Sequence, residues 1–168
     1  TCMATGGKKA GFSKFVSDTA PVLIACESQI EVADKNGIKN YPLENIYTGD
    51  GINPRNLDKT SLVTAILLPM DNNYTCVFKK LRPRESVDYS SLTTAVSIDK
   101  DGRIKIVLGG VDPKPVVIAG ESLDARDDMI ISAFKKSRVI DNDFYSRTYR
   151  REMIKVFLQR SFDELSKK

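Results

Sequence analysis

Two hydrophobic periods, used one after the other, restrict the fold of this chain more than any other feature. Residues 74–81, 89–99 and 103–109 read as strands, the last two joined by the hairpin signal Lys100-Asp101-Gly102. From residue 126 onward the apolar positions recur at spacings of three and four instead. Over 126–139 they place Met129, Ile130, Ala133 and Phe134 on one face. Over 145–166 they place Tyr149, Met153, Ile154, Phe157, Leu158, Phe162 and Leu165 on one stripe, with Arg150 and Arg151 pointing outward. Strands followed by segregated helices predict an α+β fold, a small antiparallel sheet packed with helices. Gly109-Gly110 and the stretch Asp112-Pro113-Lys114-Pro115 read as the end of the sheet.

The first half is shorter in its elements. Residues 18–26 read as a buried helical turn, and 30–43 as a hairpin turning at Lys35-Asn36-Gly37. Residues 42–47 fit a helical turn and 50–60 a loop. "SLVTAILLP" reads as a buried strand stopped by Pro69. The polar break "MDNNY" is the expected boundary between two units, 1–73 and 74–168. The longest apolar run, 62–70, is far short of the about 20 residues that cross a membrane, so no span is expected.

Composition narrows the chemistry. The 168 residues include no histidine, which removes the commonest general base, the Ser-His and Cys-His nucleophile pairs and the usual zinc ligands. Neither catalytic nor metal-ligating residues are therefore expected. Net charge is +4, with 26 basic side chains dispersed among 22 acidic ones, which argues against a nucleic-acid stripe. Cys2, Cys26 and Cys76 form no CxxC pair and read as free thiols of a reducing compartment, Cys26 and Cys76 as core residues. The opening "TCMATGGKK" has neither a signal-peptide nor a transit-peptide pattern, and a cytoplasmic location is expected.

Ser17-Asp18 precedes the apolar run of residues 20–26, with Pro21 inside its first turn. An ordinary helix cap accounts for the pair. An ionised carboxylate is also an acceptor suited to polyol donors.

Four ordered stretches carry a family resemblance: "SDTAPVLIACESQIEV", "YPLENIYTGDGINPRNLDKTSLVTAILLP", "FKKLRPRESVDYSSLTTAVSIDKDGRIKIVLGGVDPKPV" and "YRREMIKVFLQRSF". Together they resemble the flavin subunit, or flavin domain, of the molybdenum hydroxylases: xanthine dehydrogenase, carbon monoxide dehydrogenase and 4-hydroxybenzoyl-CoA reductase. The resemblance covers about residues 11–165. In that family an upstream half carries two Gly-rich segments that cradle the FAD pyrophosphate. Gly6-Gly7 does not match them. The resemblance thus implies the C-terminal half of such a subunit: the end of the second FAD-binding subdomain, over 1–73, and a C-terminal α+β domain, over 74–168.

The same resemblance implies FAD contacts at Ser17 and Asp18, apolar flavin contacts at Leu62 and Val63, and a cation near the flavin ring at Lys79, with Lys80 one register away. Some members carry a [4Fe-4S] loop upstream of the Ser-Asp pair. Cys2 stands near the place of its last ligand, but four thiolates are needed. The implied function is electron transfer from iron–sulfur clusters through FAD to an external acceptor. The implied partners are a large subunit with the molybdenum cofactor, a small subunit with [2Fe-2S] clusters, and the upstream FAD-binding half. The alternative is a subunit-interaction module that binds no flavin by itself.

Overall fold

A computed structural model describes residues 15–50 and 53–167. Cys2 and Gly6-Gly7 lie outside the described residues. The fold is α+β: α1 (Ala20–Ala25), β1 (Gln29–Asp34), β2 (Gly37–Pro42), β3 (Leu62–Leu67), β4 (Thr75–Leu81), β5 (Leu92–Ile98), β6 (Ile104–Gly109), β7 (Val116–Gly120), α2 (Arg126–Lys136) and α3 (Arg147–Leu165). The strands form two antiparallel sheets, one ordered β2-β1-β3 and the other β4-β5-β6-β7.

The second sheet is covered on both faces, because its central strands alternate between two apolar clusters. Val96, Ile106 and Leu108 pack with Ile154, Phe157, Leu158 and Phe162 of α3 and with Met129 and Ile130 of α2. Their neighbours Ala95 and Val107 face the other way, where they meet Ile24 and Ala25 of α1 together with Ile30, Val32, Leu43 and Ile46. The helix α1 therefore sits between the two sheets. It ends in a Schellman motif: Glu27 takes a left-handed φ of 56°, Ser28 N–H bonds Leu23 O at 2.9 Å and Glu27 N–H bonds Ile24 O at 3.0 Å.

The turn between β5 and β6 is built on Asp99. Its Oδ1 accepts the N–H groups of Asp101 and Arg103, each at 2.9 Å, and its Oδ2 accepts Arg103 Nε at 2.8 Å. Burial alone would raise the Asp99 carboxyl, but the hydrogen bonds from Arg103 and Asp101 outweigh it and hold the group below the usual carboxylate range.

Four expectations need correction. The sheet does not end at Gly109-Gly110. That pair and the two prolines form a connection, and Val116 is the first residue beyond them to pair, opposite Leu108, so β7 follows. The strand β3 exists but is not buried: it is an edge strand, with Leu62, Val63, Ile66 and Leu67 all exposed. Cys26 and Cys76 are half-buried rather than core residues. On α3 the expected stripe holds from Met153 to Leu165, but its first turn differs. Arg150 is fully buried on the same face as Ile154, Leu158 and Ser161, whereas Tyr149 is largely exposed and stacks on Tyr145.

Candidate functional site

The chain leading to Ser17 is fixed by backbone. Phe15 N–H donates to Asp112 O at 2.8 Å, and Gly110 N–H returns to Phe15 O at 2.7 Å. Gly110 needs a φ of +80°, and a Cβ there would lie 2.8 Å from Ser91 O, so only glycine fits this crossing. Two residues on, Ser17 Oγ accepts the N–H of Ala20, the first of α1, at 3.1 Å, from two residues before the N-cap Thr19, whose own side chain makes no cap bond. Asp18 does not cap. Its Oδ2 receives Lys80 Nζ at 2.6 Å, and the same ammonium donates to Asp88 O at 2.7 Å. Arg84 Nε holds Asp88 Oδ2 at 3.0 Å, and that hydrogen bond keeps the Asp88 carboxyl below its ordinary range.

These residues border a cleft of about 480 Å³, within the size of ordinary ligand sites. Val16, Ser17, Asp18, Arg84, Tyr89 and Ser90 line it. Ser90 is 5% exposed and its hydroxyl has no hydrogen-bond partner. A buried hydroxyl on a cleft wall without a partner is costly unless something completes it.

The wall behind Ser90 is rigid. Ser91 N–H bonds Leu81 O at 2.8 Å, and Asn142 Nδ2 bonds Ser91 Oγ at 2.8 Å. The buried guanidinium of Arg150 donates to three carbonyls: Ser91 O at 2.6 Å, Gly110 O and Ile140 O. Burial lowers its pKa, against the pull of Asp141. Arg150 thus fastens the ends of β5 and β6 to α3, immediately under the cleft.

The sequence-predicted residues divide into groups. Ser17 and Asp18 both line the cleft, and Lys80 of β4, outside its lining, pairs with Asp18. Lys79 alternates with Lys80 and turns to the opposite face, the side of Val77 and Leu81, where it pairs with Glu164 of α3. Leu62 and Val63 are on β3 of the other sheet, outside the cleft lining, and are 66% and 45% exposed. Ser90, Arg84 and Arg150 were not singled out as site residues. The doubled serine at a strand entrance carries no chemical signature, and Arg150 lies on the buried stripe of α3, where an arginine reads as polar. Among the described residues no cluster of three or more histidine, cysteine or acidic side chains is placed to hold a metal ion, and no helix is long and apolar enough to cross a membrane.

No protein-family model matches the sequence. The glyceraldehyde dehydrogenase medium chain of Sulfolobus acidocaldarius is 28% identical over 179 aligned positions, covering 98% of this chain and 62% of that protein. Among solved structures, quinoline 2-oxidoreductase from Pseudomonas putida 86 superposes with a TM-score of 0.72 at 14% identity, covering 97% of this chain and 57% of its own. A carbon monoxide dehydrogenase from Hydrogenophaga pseudoflava that lacks the Mo-pyranopterin moiety superposes with a TM-score of 0.74 at 17% identity, covering 88% of this chain and 55% of its own. The fold is thus that of a chain in these oxidoreductases, and this chain spans somewhat over half the length of the relatives it matches. The resemblance read from the four sequence stretches is borne out by both kinds of likeness.

Proposed function

We propose that this chain forms one side of an FAD site in a molybdenum hydroxylase-type oxidoreductase, within a unit that passes electrons from iron–sulfur clusters to an external acceptor. The observation that carries this reading is the cleft at the start of α1. Ser90, whose buried hydroxyl has no partner, lines it with Ser17, Asp18 and Arg84, in a chain whose relative is a dehydrogenase medium chain. Bound FAD supplies the redox chemistry, and the protein supplies binding, orientation and electrostatics.

The donor set suits part of such a molecule. Asp18 spends Oδ2 on Lys80 and keeps Oδ1 as an acceptor for a ligand hydroxyl. Ser90 gives or accepts one further bond. Of the two lysines, Lys80 is the one paired with Asp18 of the cleft, which favours it over Lys79 as the cation beside the cofactor. Leu62 and Val63 are apolar and exposed, as a surface awaiting a flavin ring or a further segment would be. The pyrophosphate cradle belongs, in this reading, to sequence beyond this chain, consistent with the relatives' greater length. A molybdenum-cofactor large subunit, a [2Fe-2S] small subunit and a cytoplasmic location complete the proposal, as does a division of the chain at residue 73.

A second reading is an interaction module that binds no flavin. The exposed apolar side chains of β3 and its exit, Leu62, Ile66, Leu67 and Leu68, favour it. Flavin content separates the two. FAD should be retained by the complete flavoprotein and reduced by Asp18→Ala and Ser90→Ala, with this chain alone binding it weakly or not at all. Full FAD occupancy in both variants would remove the cleft from the cofactor site.

A further inference from the structure

Two thiols lie together at the junction of the two sheets, away from the cleft. Cys26 is the last residue of the α1 turn, and Cys76 is the second residue of β4. Three independent restraints bring them together. Ala25 O, one residue before Cys26, accepts Ser97 Oγ at 2.5 Å, and Ser97 is the direct cross-strand partner of Cys76. Glu27, one residue after Cys26, accepts Tyr74 Oη at 2.9 Å, and Tyr74 leads directly into β4. Lys105 Nζ of β6 closes on the other oxygen of Glu27 at 2.6 Å. With the backbone on either side of Cys26 held in this way, Cys26 lies beside Cys76 where α1 meets β4. Both cysteines are free, and both keep part of their surface in solvent.

We propose that Cys26 and Cys76 are a reversible redox pair that closes to a disulfide by exchange with a small-molecule disulfide of the glutathione type. The Cys26 thiolate attacks one sulfur of the small disulfide, forming a mixed disulfide and releasing one small thiolate, which takes up the proton that Cys26 lost. Cys76 then gives up its proton and attacks the Cys26 sulfur. The second small thiol leaves with that proton, so two protein thiols are oxidised and one small disulfide is reduced to two thiols. The order of attack follows from the unequal surroundings of the two thiols. The neighbouring Cys76 lowers the Cys26 pKa, with burial opposing, while the same neighbour and burial raise Cys76. The cross-link ties α1 to β4 and closes a loop of about 50 residues that holds the whole β2-β1-β3 sheet. The site is separate from the proposed flavin cleft and does not rest on it.

The test uses the full chain equilibrated in glutathione redox buffers, alkylated, and digested with trypsin without reduction. The expected product is one peptide pair, residues 15–35 joined to residues 60–79, lighter by two hydrogens than the reduced pair and separated again by dithiothreitol. In Cys76→Ser the resolving thiol is gone, so Cys26 should accumulate as a stable glutathione adduct. In Cys26→Ser, Cys76 should stay reduced in the same buffer. A wild-type protein in which Cys26 carries glutathione stably, or in which both thiols remain alkylatable throughout, would overturn the proposal. So would a cross-link running through Cys2. The wild-type measurement stands even if a variant fails to fold.

Discussion

Arg150 is a full charge buried without a carboxylate, and its worth lies in the carbonyls it satisfies. Replacing it with methionine keeps most of the stem but leaves Ser91 O, Gly110 O and Ile140 O short of a donor. Such groups cost about 1–3 kcal/mol each when left unpaired, so Arg150→Met should lower unfolding free energy in urea by roughly 3 kcal/mol or more. A loss under about 1 kcal/mol would mean that water takes over the clamp. Asp18 is the opposite case. Its ion pair with Lys80 is half exposed and worth about 0–1 kcal/mol to folding. Asp18→Ala should therefore leave stability nearly unchanged while weakening FAD binding in the complete flavoprotein by about 1–3 kcal/mol, read by fluorescence titration. For the lysines, redox titration is the discriminating measurement. A cation that favours the reduced cofactor by about 1.4 kcal/mol raises a two-electron potential by roughly 30 mV. Lys80→Met should lower the potential on that scale and Lys79→Met should not; a drop in Lys79→Met alone would return the role to Lys79. At this scale the sequence was least informative. Ser17-Asp18 could be picked out because caps and acceptors have recognisable chemistry. The choice between adjacent lysines depends on which face of β4 meets α1, and no local pattern encodes that.

At the scale of elements, the hairpins and the two long helices were legible because each has its own period or turn chemistry. Lys100-Asp101-Gly102 announces the β5–β6 turn, and Asp99 beside it supplies a pH-dependent prediction. Its folded-state pKa is depressed, so its contribution is present above the unfolded value of about 3.9 and disappears as pH falls through the lower folded value. The urea midpoint should decline on acidification below about pH 4. Asp99→Asn should be less stable at neutral pH and show a shallower decline. An identical acid slope in the variant would mean that other carboxylates carry it. The elements misread were those decided by long-range packing. β7 follows two prolines that look like a terminus but lie outside the ladder. β3 has the composition of a buried strand, yet nothing among the described residues covers it, because apolar character reports what a strand tolerates rather than what reaches it. The first turn of α3 was misassigned because a buried arginine counts as polar in any periodicity and an exposed tyrosine counts as apolar.

For the molecule as a whole, the two sheets share one helix. Ile24 and Ala25 pack against Ala95 and Val107 of one sheet and beside Ile30 and Val32 of the other. The turn that opens at Met70, which is 80% exposed, is the expected site of limited proteolysis. Cleavage there should leave the two pieces associated on gel filtration, held by α1. Immediate separation, or preferred cutting within 90–108, would show a different division.

The contact between Glu27 and Tyr74 has a mechanical consequence. The three-stranded sheet leaves the rest of the molecule just after Glu27 and returns just before Tyr74, and those two side chains are bonded to each other. Departure and return share one post. A load applied at the exposed strand β3 therefore reaches the rest of the molecule through one covalent junction and through the shared apolar layer of Ile30, Val32, Leu43 and Ile46 beneath α1.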